Sequence, residues 1–176
     1  MKPMRHWAVL IPAERYAQER LVASDALPVD ALPAPDVPPG AQVVLIADTV
    51  PPVVFGFGEA LRDGRMRYTR RLFDAPLPVD GLALPADGLA AGPMPADVFA
   101  ALAARAGPAE AVRTWLVGVD LPIEADTPAE AVRRYWAYVR DLGPRELPAY
   151  VAPIGDELAI QAYVLGEEAA LDPEED

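Results

Sequence analysis

Five arginines, Arg62, Arg65, Arg67, Arg70 and Arg71, crowd into ten residues with Asp63 as the one acid among them. Each guanidinium offers a planar fork of donors that suits phosphate or carboxylate ligands. If residues 65–73 form a strand, alternation puts Met66, Tyr68 and Leu72 on one face and Arg65, Arg67, Thr69, Arg71 and Phe73 on the other. Three arginines then line a single outward surface. The plain alternative is a solvated strand face whose arginines pair with local acids.

Residue types able to carry covalent or acid–base chemistry are sparse. There is no cysteine, His6 is the only histidine and Ser24 the only serine. A chain without cysteine has no disulfide framework, thiolate zinc site or cysteine nucleophile. His6, beside Trp7 at the start of a strand, reads as structural. Glu124 and Asp126 offer oxygen ligands for a hard cation, but they lead into a helix start, where acidic groups are favourable in any case. Gly56 and Gly58 make a Gly-x-Gly with no third glycine and no helix behind it, so the dinucleotide fingerprint is incomplete. We expect no enzyme activity, no cofactor and no metal.

The positioning elements come from a chain of 176 residues, 52% apolar and 24% charged, long enough to bury most of its apolar surface. Its net charge of -12 is unevenly spread, with -2 over residues 1–106 and -10 over residues 107–176. Arginine outnumbers lysine fourteen to one, which with the wealth of alanine and proline reads as the product of a GC-rich bacterial genome. The longest early apolar run, Ala8–Ile11, is far below the ~18 residues of a membrane span. With no targeting signal visible, the expected location is cytoplasmic and no membrane contact is expected.

Strand Trp7–Ile11 opens the pattern, and residues 13–24 can form a helix with a stripe of Tyr16, Ala17, Leu21 and Arg20. Prolines at 28, 33, 35, 38 and 39 make 26–40 an extended connection. Gln42–Ala47, Val53–Leu61 and 65–73 then read as a three-strand meander, with Asp63-Gly64 in the last turn. In the second strand Val53, Phe55, Phe57 and Glu59 share one face, while the alternate glycines permit a bulge or a close approach. Leu82 and Leu84 suggest a short edge strand, and 95–106 a helix that buries Val98, Phe99 and Leu102 and stops at Gly107-Pro108.

In the C-terminal half Trp115, Val117, Val119, Leu121 and Ile123 alternate with polar positions, the pattern of a half-buried strand over 114–125. Thr127-Pro-Ala-Glu130 is a capping box, in which the Thr hydroxyl accepts from the third helical amide and Glu130 reaches back. The helix carries Ala129, Val132, Tyr135, Trp136, Val139 and Leu142 at 3 and 4 spacing and stops at Gly143-Pro144. Strands over 147–153 and 157–165 follow. Six acids and no base in Glu167–Asp176 make a solvated tail, with docking to a basic partner as its other reading.

Three N-terminal features carry a resemblance: His6-Trp7 opening a strand, the run Gly40-Ala-Gln-Val-Val-Leu-Ile-Ala47, and Val54-Phe-Gly-Phe-Gly-Glu-Ala60 followed by an Arg/Tyr strand. This half resembles the PUA-like superfamily, in particular its EVE branch. It departs from that pattern at Ala41, where a Gly-Asp pair is usual in such folds, and in its acidity. The resemblance implies a closed, mostly antiparallel barrel that reads RNA or modified bases without catalysis. Trp7, Phe55, Phe57 and Tyr68 would form its aromatic pocket, with Arg65, Arg67 and Arg71 beside it. The C-terminal half resembles uncharacterised bacterial proteins ending in Asp-Pro-Glu-Glu-Asp, which implies no activity.

The expected fold class is therefore α+β: a PUA-like barrel over 1–108, a β-α-β-β unit over 109–166 and a flexible acidic tail over 167–176. Two functions compete, a nucleic-acid reader at the arginine strand and an adaptor whose acidic C-terminal half meets a basic protein. Oligomeric state is left open.

Overall fold

The computed structural model describes residues 6–22, 24–27, 37–79, 85, 90–108, 113–156, 158–164 and 167–169. The fold is mixed α+β and divides into two compact units, Met1–Glu110 and Ala111–Asp176.

The first unit is built on one sheet. Its strands are β1 (His6–Pro12), β2 (Ala26–Leu27), β3 (Gln42–Asp48), β4 (Val53–Ala60), β5 (Met66–Arg71), β6 (Leu77–Pro78) and β7 (Ala91–Met94). The order is β2-β5-β4-β3-β1-β7, with β6 on β4. The β3-β4-β5 meander is present as the turn signals predicted, with Gly64 at φ +84 in the second turn. β1 runs parallel to β3 and every other pairing is antiparallel. A parallel neighbour needs a crossover, and helix α1 (Ala13–Leu21) begins one directly after β1. Among the described residues the end strands β2 and β7 do not pair with each other. Positions 82 and 84 lie outside the described residues.

Two apolar clusters fill this unit, one on each face of the sheet. Val9, Ile11, Val43, Leu45, Phe55 and Met66 pack with Tyr16 of α1. Ala8, Val44, Ile46, Val54, Phe57 and Leu72 pack with Leu102 of α2 (Ala96–Ala106). β3 thus serves both clusters by simple alternation. α1 departs from its expected stripe, because its buried residues are Tyr16 and Glu19 and Ala17 is exposed. Positions 16 and 19 are one turn apart on a single helix face, and a carboxylate occupies the second because it finds partners there.

The second unit has strands β8 (Trp115–Gly118), β9 (Ala149–Pro153), β10 (Gln161–Val164) and β11 (Glu167–Ala169), in the order β11-β10-β9-β8 and all antiparallel. Helix α3 (Pro128–Leu142) lies between β8 and β9 in the chain, and a single 3-10 turn at Gly143–Arg145 follows it. Three expectations are corrected here. β8 stops at Gly118, and all four of its residues are exposed; β9 ends its pairing with β8 at Gly118 opposite Tyr150, so the alternating residues Val119–Ile123 have no strand to join. The strand expected over 157–165 is Gln161–Val164, which leaves Leu158 and Ile160 exposed outside it. Finally, Glu167–Ala169 is a strand paired with β10 and not a tail. Ladder bonds use the backbone, and an edge strand tolerates acidic side chains. Residues 170–176 lie outside the described residues.

α3 starts as its sequence predicts. Thr127 Oγ1 accepts from the Glu130 amide at 3.2 Å. The Glu130 carboxylate, however, turns to Arg134 one turn along, and Arg134 also donates to the Glu124 carbonyl at 2.9 Å. None of the residues of α3 is buried.

Candidate functional site

The aromatic pocket and the arginine face expected for the N-terminal unit depend on the parity of β4 and β5, and a bulge in each strand changes it. In β4, Gly56 is opposite Leu45 and Val54 opposite Ile46, so Phe55 is the extra residue. In β5, Tyr68 is opposite Gly58 and Arg70 opposite Phe57, so Thr69 is extra. An inserted residue reverses the face of everything beyond it.

The consequence for the rings is that Phe55 and Phe57 fall on opposite faces. Phe55, 0% exposed, lies 4.9 Å from the Tyr16 ring and 5.9 Å from Phe73. Phe57 makes an edge contact with Phe99 at 5.7 Å, and Phe99 also meets His6 at 4.4 Å. Trp7 and Tyr68 border the Phe55 cluster. The four rings do not line one hollow; the two phenylalanines are core on separate sides of the sheet.

The arginines separate for the same reason. Arg65 sits in the turn, where its Nη2 is 2.8 Å from Asp63 and its amide and Nε also bond that carboxylate. Those bonds, the amide first, hold the Asp63 carboxyl below the usual range. Arg67 pairs with Glu59 directly across β4. Arg70 donates to the carbonyls of Ala106, Gly107 and Pro108, where α2 ends and its last carbonyls lack helical partners. Arg71 lies over the Tyr68 ring, 4.7 Å from its centroid, and donates to the Ser24 carbonyl. The expected row of Arg65, Arg67 and Arg71 is thus not formed: two pair with carboxylates and the third lies beyond the bulge, on the Tyr68 side.

Glu19 lies outside the stripe expected for α1. Only 1% exposed, it accepts from Arg15 and from the Tyr68 hydroxyl at 3.1 Å. Burial first, then the adjacent Glu19 carboxylate, push the Tyr68 phenol well above its ordinary value. Among the described residues, two buried nitrogens, Trp7 Nε1 and Arg15 Nε, have no hydrogen-bond partner. The spacing of Glu19, three residues after Tyr16 and four after Arg15, is the signal that identifies it.

The glycines have a direct steric role. A Cβ on Gly58 would lie 2.7 Å from the Arg67 carbonyl oxygen and 3.2 Å from Val43, and one on Gly56 would lie 3.0 Å from the Arg70 carbonyl oxygen. Close passage of β5 requires both to stay bare.

The second unit presents a different surface. Trp115, Leu116 and Val117 of β8, Val132, Trp136 and Tyr138 of α3, and Ile154, Leu158 and Ile160 are all exposed. One face of its sheet holds a groove of about 240 Å³ lined by Trp115, Val117, Val151, Gln161 and Tyr163. Register puts these on a common side, since Val117 faces Val151 and Val151 faces Gln161. The unit is also acidic, with 14 Asp and Glu against 5 Arg over 111–176.

Among the described residues, no helix is long and apolar enough to cross a membrane. Comparison of the chain with known protein families, with curated proteins and with solved structures finds no match.

Proposed function

We propose that the protein is a non-enzymatic, cytoplasmic interaction module whose acidic C-terminal unit engages a basic protein partner through exposed apolar side chains. One observation carries the reading: nine large apolar side chains stand open to solvent in a unit of strongly acidic composition. At about 150–250 Å² per aromatic and somewhat less per aliphatic side chain, they expose on the order of 1,000 Å². One partner of a stable complex buries about 800 Å². Apolar burial supplies affinity, and the acids steer a basic partner and exclude acidic ones.

Capture on immobilised full-length protein tests this. The expected result is one stoichiometric basic protein, released by salt and lost when Val132→Ser and Trp136→Ser are combined, with unfolding unchanged. Retention that ignores the double substitution would refute the reading.

A second reading keeps the N-terminal unit as a PUA-like nucleic-acid reader. It is supported by a mostly antiparallel sheet, by two bulges that add the twist a closing barrel needs, and by the Arg71 guanidinium held over the Tyr68 ring. Tyr68 and Arg71, on one face of β5, would then take a base. Short RNA should bind the full chain with a salt dependence that weakens in Arg71→Ala; binding indifferent to that change removes this reading.

A further inference from the structure

We propose that β8 is a docking edge: an extended, basic segment of the partner adds beside Trp115–Gly118 as a fifth strand and places an apolar side chain in the adjoining groove. The proposal rests on the reading above, that the C-terminal unit takes a basic partner, and gives that partner a place and a conformation.

Three features of β8 converge on this mode of binding. The first is the open edge. Among the described residues β8 pairs only with β9, so a row of backbone N–H and C=O groups faces outward. Sheets usually blunt such an edge with proline, a charge or a bulge, whereas Trp115-Leu-Val-Gly118 has neither proline nor charge and pairs with β9 in unbroken register.

The second is the groove. Trp115 and Val117 point to the same side as Val151, Gln161 and Tyr163, and the resulting hollow begins at the free edge. A strand laid beside β8 presents alternate side chains over that face. Val117, 67% exposed, is the residue such a strand would cover most directly.

The third is charge. Asp120, Glu124 and Asp126 follow β8 within eight residues, and Arg113 is the one base before it. The chain that leaves the edge at Gly118 is thus acidic, the charge that a basic segment reaching past Gly118 complements. Lysines or arginines alternating with apolar residues match both the acids and the groove. A second copy of this chain is the poorer occupant, because it would bring two units of net charge -9 together.

The test uses the full chain and a short synthetic peptide of alternating lysine and valine, blocked at both ends, with a glutamate–valine peptide as control. Binding is read from the blue shift of Trp115 fluorescence, identified by its loss in Trp115→Phe. Two N-methylated forms of the lysine peptide, blocked on opposite edges of the extended backbone, separate backbone pairing from simple adhesion. The expected result is that one form loses binding and the other keeps it, and that Val117→Lys weakens binding by about tenfold or more. Equal binding of the two forms overturns the proposal without requiring any variant to fold. If the lysine peptide binds but is released by Trp136→Ser and not by Val117→Lys, the basic-partner reading stands and β8 is the wrong place. If lysine and glutamate peptides behave alike, both fail. A peptide-free dimer dispersed by Val117→Lys assigns the edge to a second copy and overturns the peptide.

Discussion

Among the described residues, twenty apolar ones are buried in the N-terminal unit and three in the C-terminal unit, Leu147, Ala152 and Ala162. Both units are sheets made from alternating sequence, so strand propensity does not separate them. What differs is cover. In the first, α1 and α2 each send side chains into the cluster on one face of the sheet. In the second, α3 is the longest of the three helices and carries an apolar stripe, yet none of its residues is buried. The contrast teaches that amphipathic periodicity marks a face that gains from burial but does not specify whether the cover comes from the same chain.

Substitutions can break or sharpen that contrast. The largest effect is expected from Phe55→Ala, at about 3–5 kcal/mol lost from the N-terminal unit in urea unfolding; a cost below 1 kcal/mol would show that its core is loosely filled. Gly58→Ala should cost about 1–3 kcal/mol, because the new methyl meets backbone that cannot turn aside. Tyr68→Phe should cost a similar ~1–3 kcal/mol, since buried Glu19 loses a donor.

That tyrosine also gives a pH dependence. The folded form holds the phenol proton well above the ordinary pKa of 10.0, while the unfolded chain releases it there. The stabilisation is therefore complete below that pH and declines as pH rises above it, and Tyr68→Phe should flatten the alkaline decline. Ultraviolet titration should show a tyrosine that stays un-ionised until the protein unfolds and that is absent from Tyr68→Phe.

In the C-terminal unit the effects shrink. Thr127→Ala removes the cap of α3 and should cost about 1 kcal/mol, seen as lost helicity. Trp136→Ser, at a site 62% exposed, should change stability of the free protein by less than about 0.5 kcal/mol while removing partner capture. A core-sized effect there would mean that the helix face is already covered and would erase the difference between the units.

Much of the architecture was readable from residue type and spacing. The β3-β4-β5 meander, α2 with its Gly107 stop and the Thr127 cap follow from alternation, turn glycines and capping chemistry. The candidate site was readable less well, because its assignment rested on strict period-2 parity through β4 and β5. Phe55 and Thr69 each interrupt that parity, and neither has a type that announces a bulge. Neighbouring Gly56 and Gly58 permitted one without locating it. Exposure of β8 was hidden for another reason: Trp115 and Val117 have the pattern of a half-buried strand, and a pattern carries no information about whether a covering layer exists.

Arg70 spans a long stretch of sequence to hold the carbonyls of residues 106, 107 and 108 with one side chain. The N-terminal unit is therefore fastened from within at its own exit. A shortened protein meant to retain this unit's stability must keep Gly107 and Pro108, since cutting after Arg105 strands the guanidinium and frees the helix end together. Lysine, with a single compact ammonium, would be a poor substitute for that three-point clasp.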